Sequence, residues 1–171
     1  MIDFKMIPPG AVILHHTKRR AFVPWAIRLW TKGWSNHASL YMGSGRHEII
    51  EATWPRVRRT TLETYCNTDS AFKIYFKANL SVLDLAQIKG YAYGSIGKRY
   101  DLQGLFSFVF KWPANEHQNF CSELVAEAFN SVGITTSFET SDKTSPADLE
   151  RYMVSQEGKE RGWAKIMEWG A

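Results

Sequence analysis

Residues 37–53 have the sequence HASLYMGSGRHEIIEAT, and this stretch decides the fold. Apolar and polar side chains alternate over its first part, and β-branched residues fill its second part, as is typical of strands. The glycines at 43 and 45 supply turn chemistry between the two runs. The stretch therefore predicts a β-hairpin with strands at His37–Met42 and His47–Thr53.

Two ionisable side chains of this hairpin fall on matching faces. If Tyr41 opposes His47 across the hairpin, then Ser39 opposes Ile49. In the same register, His37 directly opposes Glu51. Directly opposed side chains have Cβ atoms about 5 Å apart, which suits an imidazole–carboxylate hydrogen bond. A slip of one residue would put them on opposite faces. Taken singly, each is more simply a polar residue of a strand.

The rest of the chain adds strands in its first half and helices in its second half. The 171 residues suit one domain, so we expect residues 1–171 to form a single α+β domain. Apolar runs predict the further strands, and helical spacing with capping boxes predicts the helices. The strands are expected at Ala11–Leu14 and Ala71–Phe76, and the helices at Pro24–Lys32, from Ser81 to about Tyr93, at Ser122–Val132 and from Ser145 onward.

Cys121 comes immediately before the predicted helix Ser122–Val132. The N-terminus of a helix offers free N–H groups and partial positive charge, which stabilise a thiolate and a developing oxyanion. A thiolate nucleophile needs a base, and the base needs a group to orient it. His37 and Glu51 fit these roles, and His117 is the next base to test. The alternative is a buried, inert cysteine.

Five sequence blocks resemble one family in their order along the chain. They are GWSNHASLYMG at 33–43, EIIEA at 48–52, GKRYD at 97–101, FCSELV at 120–125 and SPADL at 145–149. Together they resemble permuted papain-like cysteine hydrolases, the YiiX/YebB-like branch of the NlpC-type superfamily. The histidine block precedes the cysteine block, as the permutation requires. The chain departs from relatives at Ala11, where Asp is frequent, and at Ser39, where Gly is frequent.

The resemblance implies a circularly permuted papain-like (NlpC-type) fold, with an antiparallel sheet packed against helices and the nucleophile at a helix N-terminus. It implies Cys121 as nucleophile, His37 as base and Glu51 as third member of the triad. It also implies that Tyr100 lies near the oxyanion hole or the substrate.

The function implied is that of a cysteine hydrolase of the amidase or peptidase type. Such an enzyme cleaves an amide bond through a thioester acyl-enzyme, and a cell-wall peptide is the expected substrate. A lipid-directed thiol acyltransferase or esterase with the same triad is the alternative. Trp25, Trp30 and Trp34 would then line an apolar groove, although packing of the Pro24–Lys32 helix explains them more simply.

Basic residues are clustered, and the net charge is +4. A solvated surface is the simpler explanation, but the clusters also suit an anionic wall polymer or a membrane surface. A non-catalytic basic binding module is therefore a further alternative. No nucleic-acid motif is present, so no specific nucleic-acid partner is predicted. The clusters are Lys18 to Arg20, Arg56 with Arg58 and Arg59, and Lys98 with Arg99.

Metal and targeting signals are weak. His15, His16, His47 and Cys66 could ligate a metal, but HEIIE lacks the second histidine of HExxH, so no metal or cofactor is predicted. The N-terminus lacks the basic and apolar regions of a signal peptide, and no apolar run could span a bilayer. We therefore expect a cytoplasmic protein, for which action on the wall needs another delivery route. The sequence leaves the oligomeric state open.

Overall fold

A computed structural model of the chain describes residues 4–17, 34–43, 45–66, 70–99 and 121–170. The described strands form one six-stranded sheet in which every neighbouring pair is antiparallel. The strand order is β4-β3-β2-β1-β5-β6, so β4 and β6 are the edges. The strands are β1 Val12–Thr17, β2 His37–Tyr41, β3 Glu48–Thr53, β4 Arg56–Thr61, β5 Ser70–Lys77 and β6 Trp163–Trp169.

Helices cover the sheet. We call Cys121–Asn130 the cysteine helix, and it packs against β2 and β3. Both predicted capping boxes are present, because the Ser81 and Ser145 side chains accept from the N–H groups of Asp84 and Asp148. The other helices are Glu63–Cys66, Val82–Gly94, Pro146–Val154 and Gln156–Glu160, with 3₁₀ turns at Phe4–Met6 and Ser141–Lys143.

The two faces of the sheet bury different side chains. Alternate residues of each strand point to opposite faces. The helix face buries Val12, Leu14, Ala38, Leu40 and Ile50 against the apolar stripe of the cysteine helix: Leu124, Val125, Ala128 and Phe129. The histidine face, named for His15 and His37, carries a second core that comprises Ile7, Ala11, Ile13, Tyr41, Ile49, Leu62, Phe72 and Ile74.

The predicted hairpin is present, but the predicted register is wrong. Ser39 pairs with Glu51 and Tyr41 pairs with Ile49, so His37 does not directly oppose Glu51. The reason is the connection: His47 has a φ of 50° and belongs to the turn, while Met42 N–H donates to Glu48 O at 2.8 Å. The register is displaced by two residues, which leaves every side chain on its predicted face because the strand period is two.

The remaining predictions have mixed outcomes. The predicted antiparallel sheet packed against helices is confirmed, and the runs at 11–14 and 71–76 fall in β1 and β5. The edge strands β4 and β6 were not predicted. The expected helix Pro24–Lys32 lies outside the described residues. Within the described ranges, no helix has the length and apolar character needed to cross a membrane.

Candidate active site

His37 and Glu51 are in contact on the histidine face. His37 is the first residue of β2, and its Nε2 lies 2.7 Å from Glu51 Oε2. The two residues are diagonal neighbours in the sheet, because Glu51 pairs with Ser39. Diagonal positions are within reach of long and aromatic side chains. The predicted contact is therefore present although the predicted register is not.

Glu51 is fully buried and has three partners. Arg58 Nε donates to Glu51 Oε1 at 2.9 Å, and Arg58 Nη2 forms an ion pair with the same oxygen at 2.9 Å. The Tyr65 hydroxyl donates to Oε2. Burial alone would raise the pKa of Glu51, but the hydrogen bond and charge of His37, with the Tyr65 hydrogen bond, lower it to about 2. The carboxylate is thus ionised at neutral pH and fixed from several directions.

Cys121 meets the same histidine from the helix face. It is the first residue of the cysteine helix, it is buried, and it interacts electrostatically with the neighbouring His37 imidazole. Because His37 Nε2 is bonded to Glu51, Nδ1 is the ring nitrogen available to the thiol.

The charge of His37 follows from these two partners. Burial lowers its pKa, but the hydrogen bonds and charges of Cys121 and Glu51 outweigh burial and raise the pKa to about 10. His37 is therefore protonated at neutral pH. Its side chain is 13% exposed, whereas the Glu51 side chain is fully buried, so solvent reaches the histidine and not the carboxylate.

A second histidine lies beside the first and has the opposite character. His15 pairs with His37 across β1 and β2, and its Nε2 lies 2.8 Å from Ser39 Oγ. Its ring contacts the Tyr65 ring, with centroids 4.3 Å apart. Burial, and then the charge of His37, lower the pKa of His15 to about 3, so it is neutral.

Three neighbours of the proposed triad are not predicted by the sequence. His15 was considered only as a metal ligand, although its place in β1 opposite His37 follows once the β1–β2 register is known. Arg58 would have been found if β4 had been assigned, because it pairs directly with Glu51. Tyr65 lies on a four-residue helix, and no signal in the sequence points to its contact with Glu51.

Other expected residues have different outcomes. Tyr100 and His117, together with Trp25 and Trp30, lie outside the described residues. Trp34 stacks on His16 and lies under the Lys73 ammonium. Cys66 and Cys121 are both free thiols. No three His, Cys, Asp or Glu side chains are grouped to hold a metal ion in the part of the chain that the structure describes.

The arrangement suits thiol chemistry. An imidazolium between a thiol and a carboxylate stabilises the thiolate and can return a proton to a leaving group. The carboxylate fixes the orientation of the ring and stabilises its charge. The first turn of the cysteine helix adds N–H groups and a positive dipole end next to the sulfur.

Comparisons with known proteins agree with this fold. A family model described as permuted papain-like amidase enzyme, YaeF/YiiX, C92 family, matches residues 6–159. The structure is similar to the crystal structure of metalloprotein yiiX from Escherichia coli O157:H7, with a TM-score of 0.69 and 16% identity over 95% of this chain and 98% of that chain. That likeness concerns the fold. No curated protein sequence matches the chain. The family resemblance and the permuted papain-like fold predicted from the sequence are both confirmed.

Proposed function

Because the chain belongs to the family of permuted papain-like amidases, we propose that it is a cysteine hydrolase in which Cys121 is the nucleophile, His37 the base and Glu51 the orienting carboxylate. The observation that carries the proposal is the hydrogen bond between the His37 imidazole and the buried Glu51 carboxylate. Cys121, at the start of a helix, interacts electrostatically with the same imidazole. We further propose that residues 1–171 act as one hydrolase domain.

Attack on the substrate is the first step. The Cys121 thiolate attacks the carbonyl carbon of an amide, and the carbonyl oxygen takes the electron pair of its π bond. N–H groups at the first turn of the cysteine helix receive the resulting oxyanion. The His37 imidazolium then donates its proton to the amide nitrogen, the C–N bond breaks, and an amine leaves. The enzyme is left as a thioester on Cys121 with a neutral His37.

Hydrolysis of the thioester is the second step. Neutral His37 takes a proton from a water molecule, and the oxygen of that water attacks the thioester carbonyl. The C–S bond breaks, a carboxylic acid leaves, and the thiolate–imidazolium pair is restored. Glu51 stays ionised throughout and keeps the imidazole oriented, which its low pKa permits.

The proposed substrate is a peptide amide, with a cell-wall peptide as the expected source. Two features support an amide rather than an ester as the bond cleaved. The matching family model describes amidases. A protonated His37 is also suited to an amine leaving group, which cannot depart without a proton.

Trapping of the acyl-enzyme tests the proposal. The protein is incubated with p-nitrophenyl acetate, and the modified residue is located by mass spectrometry of the digested protein. We expect an acetyl thioester on Cys121 that hydroxylamine removes. Cys66 is the internal control, because burial and the nearby Glu63 raise the pKa of its thiol and it is expected to react slowly.

Substrate class is tested with the same protein. Purified wall peptides, a peptide p-nitroanilide and a long-chain p-nitrophenyl ester are compared, with the Cys121→Ala variant as background. Cysteine-dependent release from the peptides supports the amidase proposal. Turnover of the long-chain ester alone would favour the lipid-directed alternative, and equal acetylation of Cys66 and Cys121 would contradict the assigned nucleophile.

A further inference from the structure

The outer edge of the sheet carries a pair of opposed arginines. A short segment after the Val82–Gly94 helix runs along β4: Gly97 N–H donates to Val57 O, and Val57 N–H donates to Lys98 O, both at 2.9 Å. The segment forms an antiparallel bridge between Arg56 and Arg99. Directly opposed residues lie on one face of a sheet with Cβ atoms about 5 Å apart. The two arginine side chains therefore leave the backbone next to each other.

These two arginines differ from the neighbouring arginines of β4. Arg58 pairs with Glu51, and Arg59 pairs with Glu48 at 3.5 Å. Arg56 and Arg99 are exposed, and neither has an ion pair with any residue of the described ranges. Like charges placed directly opposite each other destabilise a sheet. An anion that bound between them would remove this repulsion.

The pair lies on the histidine face, with His37 and Glu51, and at the end of the sheet where His37 begins β2. Arg56 pairs with Thr53, two residues beyond Glu51 on the same face of β3. Extending the β2–β3 register by two residues brings Thr53 beside His37. Strands are about 4.8 Å apart, so the backbone of Arg56 lies roughly 10 Å from that of His37 across two strand spacings. A substrate bound at this end of the sheet, with its scissile carbonyl beside His37, would need to extend about this far to reach the pair.

We propose that Arg56 and Arg99 form an anion subsite that binds a carboxylate or phosphate group of the substrate while its scissile carbonyl is at Cys121. The inference rests on the proposed function and names the substrate class: acyl compounds with an anionic group remote from the bond cleaved. Guanidinium groups suit this task because their planar donors match both oxyanions. Binding there is equal in ground state and transition state, so the effect falls on KM rather than kcat.

The test compares three p-nitrophenyl esters of one acyl chain length, with a terminal carboxylate, a terminal phosphonate or a neutral methyl ester. We expect kcat/KM to favour one or both anionic esters by roughly five- to tenfold, as suits exposed charge pairs. The Arg56→Gln/Arg99→Gln variant is expected to lose this preference through a higher KM and to hydrolyse the neutral ester at the wild-type rate. The anionic ester with the higher kcat/KM indicates whether the subsite prefers a carboxylate or a phosphate group.

A matched variant controls for net charge. Lys159→Gln/Lys165→Gln removes the same charge at the helix Gln156–Glu160 and at β6, the opposite edge of the sheet. It is expected to keep the preference for anionic esters. An unchanged preference in the arginine variant, or an equal loss in both variants, would overturn the subsite. Hydrolysis that survives Cys121→Ala would instead contradict the proposed function, so the two failures are distinguishable.

Discussion

His15 and His37 oppose each other on adjacent strands, yet their surroundings give them opposite charge states. Their ring centroids are 5.2 Å apart. The pKa of His15 is lowered to about 3, and that of His37 is raised to about 10. Burial lowers both, so burial does not separate them. The difference comes from acidic partners: His37 contacts Cys121 and Glu51, whereas His15 bonds only the neutral Ser39 hydroxyl among the residues described.

The comparison indicates how a sheet can hold one imidazolium beside another imidazole. Two positive charges 5 Å apart in a buried site repel strongly, so one ring must stay neutral. The His37 ring, which contacts the Glu51 carboxylate, keeps its proton. The neutral His15 ring packs beside the rings of Tyr65 and Phe72. Variants that remove the features distinguishing the two surroundings are expected to differ in effect, because some remove a reacting group and others a single hydrogen bond.

Removal of the thiol should have the largest effect. In Cys121→Ala we expect hydrolysis to fall by at least about 10³-fold, because no other group replaces the nucleophile. The pKa of His37 should fall toward that of His15, because one of its two acidic partners is lost. Ester hydrolysis and histidine NMR titration measure the two effects. Cys66→Ala is the matched control. Activity near wild type in Cys121→Ala would exclude Cys121 as the nucleophile.

Removal of the carboxylate charge should have the next largest effect. In Glu51→Gln we expect kcat to fall roughly 10³-fold, since the ring loses the group that orients it and stabilises its charge. The pKa of His37 should fall here too. Glu48→Gln is the control: Glu48 lies on the same strand, faces the other side of the sheet and pairs with Arg59. An equal loss of activity in both variants would contradict a specific role for Glu51.

The neutral histidine should affect stability against acid more than catalysis. The folded pKa of His15 lies below its unfolded value of about 6.5, so its contribution to stability is present above pH 6.5 and is lost as the pH falls toward 3. Between pH 6.5 and 5 the loss is on the order of 2 kcal/mol. His15→Phe should lack this part of the pH dependence and keep activity within a few-fold. Urea unfolding at both pH values tests this, and identical pH slopes would refute it.

The Tyr65 hydroxyl should give the smallest effect. Tyr65→Phe removes one donor to Glu51 but leaves His37 and Arg58 in place, so we expect a three- to tenfold loss of kcat, about the effect of one hydrogen bond. Tyr93→Phe is the matched control, because the Tyr93 hydroxyl also donates to a glutamate. That glutamate, Glu48, lies on the helix face of the sheet and not beside Glu51. A similar loss in both variants would mean that Tyr65 does not act through Glu51.

The sequence predicts the proposed triad better than it predicts the surrounding residues. His37 and Glu51 lie on a hairpin whose alternation is visible, and a two-residue register error does not change faces. The edge strands carry no such pattern: only Val57 is buried in β4, and only Trp163 in β6. An edge strand buries few side chains, so hydrophobic periodicity does not reveal it.

The missed partners of Glu51 follow from the missed edge. Arg58 lies in a run of arginines that is typical of a solvated surface, and only the β3–β4 pairing turns it toward the buried carboxylate. Tyr65 reaches Glu51 from a four-residue helix whose position depends on where β4 ends. Contacts of this kind depend on tertiary packing rather than on local pattern, so the pattern of a single sequence does not predict them.

The location of Arg58 on an edge strand ties the proposed chemistry to local opening of the backbone. β4 is held by β3 on one side and, on the other, by the short segment Gly97–Arg99. Edge elements open in low-energy fluctuations that leave the rest of a domain folded, and amide hydrogen exchange measures their free energy. Each such opening of β4 would withdraw Arg58 from Glu51 while β1 and β2 stay paired. Amide exchange in β4 would therefore measure the free energy that holds Arg58 against the Glu51 carboxylate, separately from the free energy of global unfolding.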